Sequence, residues 1–367
     1  MSKKKICCVV GTRPNFIKIT QLEKELSNYQ DNFQFKLIHT GQHFDDKMSS
    51  IFFDQLKLKK PDYTLGLKEI DRNKKVVEMQ NGIKEVLLKE TPDLLLVVGD
   101  VDSAYSAAMA AKELNIKIAH LESGLRSFDN EMPEEVNRIA VDKISDYFFV
   151  TEESGLVNLK NEGVNDYKVF FVGNTMIDTL ISFDSEIRVN TILNNLGITK
   201  QEYALITMHR PSNVDSKESL QVILKLLQEI SKKLKIVIPI HPRTKNKIKE
   251  FGLNHLIDQN TDIVQLEPID YFAFQNLILN AKVVITDSGG IQEETTFRKV
   301  SCLTIRDNTE RPSTVDIGTN QLLALDKMLI LSKIEEIILG EAKDSSIPDL
   351  WDGKATQRIA AILNDKL

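Results

Sequence analysis

Val283-Val284-Ile285-Thr286-Asp287-Ser288-Gly289-Gly290-Ile291-Gln292-Glu293-Glu294 is the stretch on which the reading of this chain turns. Its first four residues form an apolar run with the look of a buried strand, and Glu293 to Phe297 suits the start of a helix. A strand that breaks at Ser-Gly-Gly and turns into a helix aims free backbone N–H groups at one spot. Helix N-termini carry partial positive charge, and glycine lets a ligand approach the backbone closely. On one reading this is a phosphate cradle, with Glu294 one turn in and able to reach a sugar hydroxyl. On the other it is an ordinary strand–turn–helix junction in which glycine supplies a positive φ. The octapeptide alone does not choose between them.

Outward from this stretch the same unit recurs. Ile6–Val10, Phe35–Thr40, Leu94–Val98, Ile116–His120, Tyr147–Val150 and Val169–Val172 are apolar strands in the first half. Helices are expected at Phe16–Leu26, Met48–Leu56, Lys75–Leu88, Ala104–Leu114 and Glu152–Asn161. The second half repeats the alternation. Its strands are Tyr203–Thr207, Ile236–Ile240, Ile263–Leu266, Val283–Thr286 and Val300–Ile305, and its helices include Ser216–Leu234, Tyr271–Asn280, Lys333–Leu339 and Thr356–Leu363. Apolar runs without alternation suit parallel strands covered on both faces, and strands alternating with helices build doubly wound sheets. The fold class is α/β, with two Rossmann-like domains. The pattern changes around Gly173 to Asp184, and the segment to Leu196 reads as polar and irregular. The expected division is therefore residues 1–175, residues 176–353 and a terminal segment 354–367.

A chain of 367 residues suits two domains, and 42% hydrophobic with 27% charged residues is a globular composition. A net charge of −6 argues against a nucleic-acid or membrane-surface partner. The three cysteines, Cys7, Cys8 and Cys302, lie in apolar runs and read as reduced core thiols. The apolar run after Lys3-Lys4-Lys5 ends at Gly11, too short for a signal sequence, and no run approaches the roughly 20 apolar residues of a membrane span. A cytoplasmic protein is expected.

Ligands of open parallel sheets bind outside the carboxyl ends of the strands. Polar clusters stand at those ends: Gly11–Asn15, Gly41–His43, Gly99–Ser103, His120–Arg126, Met208–Asn213, His241–Thr244, Asp287–Glu294 and Arg306–Pro312. Their recurrence favours the cradle reading. Arg13, His209, Arg210, His241, Arg243, Arg306 and Arg311 supply cations or donors suited to a diphosphate, although any one Arg alone reads better as a surface ion pair. Lys18, one turn past Arg13, faces either the ligand or solvent. Asp100, Glu122 and Glu134 are the candidate acid/base carboxylates, with Asp102, Glu131 and Glu135 as neighbours. Asp100 ends a strongly apolar strand, where desolvation raises a carboxyl pKa. Glu134 follows Pro133, so helix-start chemistry explains it equally well. His209 is a base or a phosphate donor. His39, His43, His120 and His255 read as structural or peripheral. HExxH, paired Cys/His spacing, GxSxG and GxGxxG do not occur, so neither a metal nor a nicotinamide cofactor is expected.

Gly11-Thr12-Arg13-Pro14, Gly99-Asp100, His120-Leu121-Glu122-Ser123-Gly124-Leu125-Arg126, Pro133-Glu134-Glu135, Gly173-Asn174-Thr175, His209-Arg210, Asp287 to Glu294 and Arg306 to Pro312 follow in this order. The set, spread over nearly the whole chain, resembles the non-hydrolysing UDP-N-acetylglucosamine 2-epimerases. The resemblance implies a glycosyltransferase-B-like pair of domains with the active site in the cleft, a C-terminal helix crossing back onto the first domain, and a homodimer. It implies inversion at carbon 2 of UDP-GlcNAc by elimination of UDP and re-addition, with no cofactor. It also implies roles: Asp100, Glu122, Glu134 and His209 in catalysis, and Arg13, Lys18, Phe274, Ser288, Gly289, Gly290, Glu294 and Arg311 in holding UDP, with Glu294 at the ribose and Phe274 near the uracil. The chain departs from the family pattern at Asn15, Val101-Asp102-Ser103, Met208 to Asn213 and Ile269. Gln42 fits the pattern of a regulatory UDP-GlcNAc site, whereas Asp45 departs from it. Some departures resemble relatives acting on UDP-2,3-diacetamido-2,3-dideoxy-glucuronate.

Overall fold

The computed structural model describes residues 3–29, 31–42 and 53–367. The chain forms two compact units, Met1–Ser182 with Asp349–Leu367, and Phe183–Pro348. The first division falls one helix later than the sequence places it.

The first unit holds a parallel sheet of seven strands: β1 (Lys4–Val10), β2 (Phe33–His39), β3 (Tyr63–Thr64), β4 (Leu94–Val98), β5 (Lys117–Leu121), β6 (Tyr147–Val150) and β7 (Val169–Phe171). Their order is β3-β2-β1-β4-β5-β6-β7, so the winding reverses between β1 and β4. The register there runs Ile6↔Leu94 to Val9↔Val97. Leu94 to Val98 are all buried, as a strand with helices on both faces requires. The Arg72–Glu90 and Asp102–Glu113 helices cover one face, and Met79, Ile83, Ala104, Ala107 and Ala111 pack on Val9, Leu95 and Val97. Alanine on the second helix lets it lie close to the sheet.

The second unit repeats the plan with six parallel strands: β8 (Tyr203–Thr207), β9 (Lys235–Pro239), β10 (Ile263–Leu266), β11 (Val283–Thr286), β12 (Cys302–Ile305) and β13 (Asn320–Leu323). Their order is β10-β9-β8-β11-β12-β13, reversing between β8 and β11. Ser216 caps the Lys217–Ser231 helix, its hydroxyl accepting from Ser219 N at 3.1 Å.

Three expectations differ from the structure. The segment read as irregular contains the helices Thr175–Ser182, Asp184–Arg188 and Ile192–Leu196. Its polar residues Asp178 and Thr179 are buried and paired rather than solvated. Asp178 accepts from Ala355 N at 3.1 Å and Thr356 N at 2.6 Å, capping the terminal Ala355–Lys366 helix, and Thr179 Oγ1 donates to Ile17 O at 2.6 Å. The single helix expected at Phe16–Leu26 is two, Arg13–Ile19 and Leu22–Ser27. At the break Thr20 Oγ1 donates back to Phe16 O at 2.8 Å, a bond that competes with the helix ladder. Pro133–Ile144, left unassigned in the sequence reading, is a helix. Most of the helix expected at Met48–Leu56 lies outside the described residues, as do His43 and Asp45.

Among the described residues no helix is long and apolar enough to cross a membrane, and no group of three or more His, Cys, Asp or Glu stands ready for a metal ion. Cys7, Cys8 and Cys302 are buried free thiols, and burial pushes all three pKa values up.

Candidate active site

In the first unit the polar side chains gather at the carboxyl ends of β1, β4 and β5, where the winding reverses. Gly11 and Thr12 end β1, and Asn15 binds both: its Oδ1 accepts from Gly11 N at 3.1 Å and Thr12 N at 3.2 Å. Its Nδ2 donates to Val98 O at 3.1 Å, joining the turn after β1 to the end of β4. An ionised acid at this position could accept from the two N–H groups but could not donate to Val98. Arg13 opens the next helix half-buried, and Lys18 lies one turn further on, buried.

Lys18 Nζ is ion-paired with Glu122 Oε2, both side chains nearly inaccessible. Glu122 follows β5 with φ 68°, the left-handed region that few non-glycine residues occupy. Its backbone N donates to Phe149 O at 3.1 Å, which holds the turn in place. Gly99, at φ +67°, makes room for the pair: a Cβ there would lie 3.0 Å from Glu122 Oε2 and 3.6 Å from Lys18 Nζ. The next residue is Asp100. Its carboxylate, 26% exposed, is paired with buried Arg138. Arg138 lies in the Pro133–Ile144 helix one turn past Glu134, whose side chain is exposed in the first helical turn.

The neighbouring acids are committed elsewhere. Glu135 pairs with Arg138 and accepts from Ser127 N at 3.0 Å, Ser127 Oγ at 2.9 Å and Phe128 N at 2.9 Å. Asp102 pairs with Arg72 and accepts from Asn137 Nδ2 at 3.0 Å. Glu131 is exposed. Gln42 Oε1 accepts from Ser103 N at 2.9 Å, occupying an otherwise open donor at the start of the Asp102–Glu113 helix.

The second unit builds its cluster on Asp287 at the end of β11. This fully buried carboxylate reaches across to the segment after β8, accepting from His209 N at 2.9 Å, Arg210 N at 2.8 Å and Asn213 Nδ2 at 3.1 Å. It also faces His209 Nδ1 at 2.9 Å. Burial works to raise the Asp287 pKa, but His209 and these donors prevail and hold it below the usual carboxylate range. His209 is thereby fixed by backbone and ring while its side chain stays 40% exposed. Ser288 caps the Gly289–Arg298 helix without a side-chain cap bond, and Ser288, Gly289 and Gly290 are half-exposed, as a helix N-terminus open to an anion requires.

Arg311 lies against this turn, where a Cβ on Gly289 would come within 2.7 Å of its Nη1 and 2.6 Å of Glu310 Oε1. Arg311 pairs with Glu310 and, at 2.9 Å, with Glu293, and Arg306 pairs with Glu310 at 3.0 Å. Burial lowers the Arg306 pKa, Glu310 opposes that, and the positive charges of Arg210 and Arg311 lower it further. Arg306 thus feels the charges of both Arg210 and Arg311, and Arg311 lies beside the half-buried helix start. Glu294 is buried one turn into that helix, and Phe274 and Ile269 each pack half-buried on the core of this unit. His241 caps the Pro242–Glu250 helix, its Nδ1 accepting from Arg243 N at 3.2 Å, and Arg243 pairs with Asp215 on the surface.

The structure therefore groups Asp100, Glu122, Lys18 and the Glu134 helix in the first unit, and His209, Ser288 to Gly290, Glu294 and Arg311 in the second. Sequence reasoning missed Arg138 and Asn137, and gave Asp287 no role of its own. The one-turn step from Glu134 to Arg138 was the available signal for Arg138.

The UDP-N-acetylglucosamine 2-epimerase family matches residues 24–364. A relative from Methanococcus maripaludis named UDP-N-acetylglucosamine 2-epimerase is 42% identical, covering 91% of this chain and 92% of its own. A Pseudomonas aeruginosa relative named UDP-2,3-diacetamido-2,3-dideoxy-D-glucuronate 2-epimerase is 36% identical, covering 98% and 99%. The crystal structure of Methanocaldococcus jannaschii UDP-GlcNAc 2-epimerase in complex with UDP-GlcNAc and UDP superposes with a TM-score of 0.91 at 39% identity, covering 98% and 99%. Both units are Rossmann-like domains of the glycosyltransferase-B type. The chain belongs to the UDP-N-acetylglucosamine 2-epimerase family and is a UDP-sugar 2-epimerase.

Proposed function

We propose that the protein interconverts UDP-GlcNAc and UDP-ManNAc by elimination of UDP and re-addition through a 2-acetamidoglucal. The observation that carries this is the partly exposed Ser288–Gly290 helix start with Arg311 against it and Arg306 and Arg210 near Arg311 and Asp287, a site suited to a departing diphosphate. The chemistry asks for two further things: a base for the carbon-2 proton, and an acid that returns a proton to the opposite face. Asp100, Glu122 and Glu134 are the groups proposed for these tasks. The carbon-2 proton leaves to a carboxylate as the carbon-1–oxygen bond breaks and UDP carries away the electron pair; in re-addition UDP returns to carbon 1 on its original face, while carbon 2 takes a proton on the opposite face. His209 contacts the diphosphate or moves a proton at the leaving oxygen. Arg13, Lys18, Phe274, Glu294 and Arg311 complete the binding set in this reading, with Glu294 on the ribose.

Incubation with UDP-GlcNAc in D₂O tests it. Deuterium at carbon 2 of both epimers, with UDP-ManNAc formed, is expected; neither exchange nor UDP-ManNAc would overturn the reading. Free UDP released in step with turnover would mark a hydrolase or glycosyltransferase instead.

A second reading keeps the reaction and changes the sugar to the diacetamido uronate. The 36% identical Pseudomonas relative favours it, and a direct comparison of the two substrates decides. By family resemblance we also propose a cytoplasmic homodimer that supplies precursors of a surface polysaccharide.

A further inference from the structure

Three consecutive carbonyls at the end of β4 are each held by a buried side chain from a different element. Val98 O accepts from Asn15 Nδ2 at 3.1 Å. Gly99 O faces His120 Nε2 at 2.9 Å. Asp100 O accepts from Asn137 Nδ2 at 2.9 Å. Asn15, His120 and Asn137 are 2%, 0% and 6% exposed, so these bonds do not compete with water. The donors come from the helix after β1, from β5 and from the Pro133–Ile144 helix. Most buried carbonyls find backbone partners; these three take side-chain donors instead.

His120 is the centre of the arrangement. Its Nδ1 faces Asp142 Oδ1 at 2.6 Å, and Asp142 also accepts from Gly124 N at 3.0 Å and pairs with Arg126 at 2.7 Å. Burial works to raise the Asp142 pKa, but His120 and Arg126 outweigh it and keep the group ionised. Arg126 in turn pairs with Glu162 at 2.7 Å. A peptide carbonyl can only accept, so Nε2 donates to Gly99 O.

We propose that Asn15, His120 and Asn137 form a backbone clamp that positions the Asp100 carboxylate for proton transfer. The proposal rests on the reading that Asp100 acts at carbon 2 of the sugar. The three are positioning residues, since each acts through the peptide backbone of residues 98–100. Arg138 then fixes the Asp100 side chain on a backbone that is already immobile.

The test uses Asn15→Asp, which keeps the acceptor oxygens for Gly11 and Thr12 but replaces the donation to Val98 with a buried carboxylate, and His120→Gln and His120→Phe. Kinetics are measured on whichever of the two UDP-sugars the wild type turns over, with UDP binding by calorimetry. Amide hydrogen exchange is followed at residues 98–102. Ile83→Val, a core change in the same unit, controls for lost stability. We expect kcat to fall by roughly 100-fold in Asn15→Asp and His120→Phe with UDP affinity held within about twofold, since a misplacement near 1 Å costs that much. His120→Gln, which retains a donor for Gly99, recovers part of the loss. Ile83→Val keeps its kcat. Exchange at residues 98–102 quickens in the clamp variants. Unchanged exchange there overturns the clamp whatever the substrate proves to be, and quickened exchange with unchanged kcat overturns the positioning role. A ¹⁵N spectrum showing Nε2 of His120 unprotonated removes it from the clamp. Failure of the wild type to exchange deuterium at carbon 2 of either sugar refutes the proposed function and leaves the exchange result to judge the clamp.

Discussion

Lys18 and Glu122, separated by more than a hundred residues, form a buried ion pair against the open face of Gly99. Removing one partner strands the other's charge out of water, which costs about 3–5 kcal/mol. Lys18→Met and Glu122→Gln should each lower the denaturation midpoint accordingly. The double variant should lose much less than the sum, because no charge is left unpaired. Chemical denaturation of the four proteins in a double-mutant cycle measures this.

The three proposed acid/base groups should separate binding from turnover. Asp100→Asn, Glu122→Gln and Glu134→Gln are expected to bind UDP nearly as the wild type does and to lose about 100-fold or more in epimerisation. Titration calorimetry with UDP and a coupled turnover assay provide the two readings. A variant with full activity would lose its place in the mechanism.

Asp287 organises the segment that carries His209. The bonds from His209 N, Arg210 N and Asn213 Nδ2 all reach one oxygen, which Asp287→Asn can keep, but its amide nitrogen then replaces the oxygen that faces His209 Nδ1 and also accepts from His209 N at 3.2 Å. Loss of the charge also removes the partner of His209 Nδ1. Activity should fall by at least about tenfold, with weaker UDP binding, since unpairing a buried donor costs about 1–3 kcal/mol. Steady-state kinetics and calorimetry on the variant check both.

Acid sensitivity follows from Asp142 and Asp287. Both carboxyl groups sit below the ordinary value of 3.8 in the folded protein, despite burial. A depressed folded value contributes stability that is fully present above the unfolded pKa and is lost as pH falls through the folded one. Stability against urea should therefore hold down to about pH 4.5 and drop below pH 3.8, and Asp142→Asn should flatten that limb. Denaturation midpoints taken from pH 7 to pH 3 provide the test.

Gly289 is the glycine where substitution should read out on the ligand. An added Cβ meets Glu310 and Arg311 below contact distance, so Gly289→Ala must displace one of them. Overpacking of this kind costs about 1–3 kcal/mol. The displaced Arg311 should also weaken UDP binding, seen as a raised Kd with the global fold unchanged by circular dichroism.

The strands were legible because a parallel strand covered on both faces is apolar throughout; Leu94–Val98, Tyr203–Thr207 and Val283–Thr286 have the bounds their composition implies. Thr175–Ser182 was not, because Asp178 and Thr179 look like loop residues until their partners at 355, 356 and 17 are known. The site shows the same divide. The glycine turns and the acids Asp100 and Glu122 follow apolar runs and are visible locally. Asn15 to Val98 and Asp287 to His209 are bonds across 83 and 78 positions, and they exist because β1 lies beside β4 and β8 beside β11. No local pattern encodes that adjacency.

The return of residues 349–367 to the first unit sets an order of assembly. On the ribosome, residues 1–182 emerge first yet lack the segment whose backbone Asp178 caps. The half made first is thus completed last, because its final stretch of chain is the end of the sequence, residues 349–367.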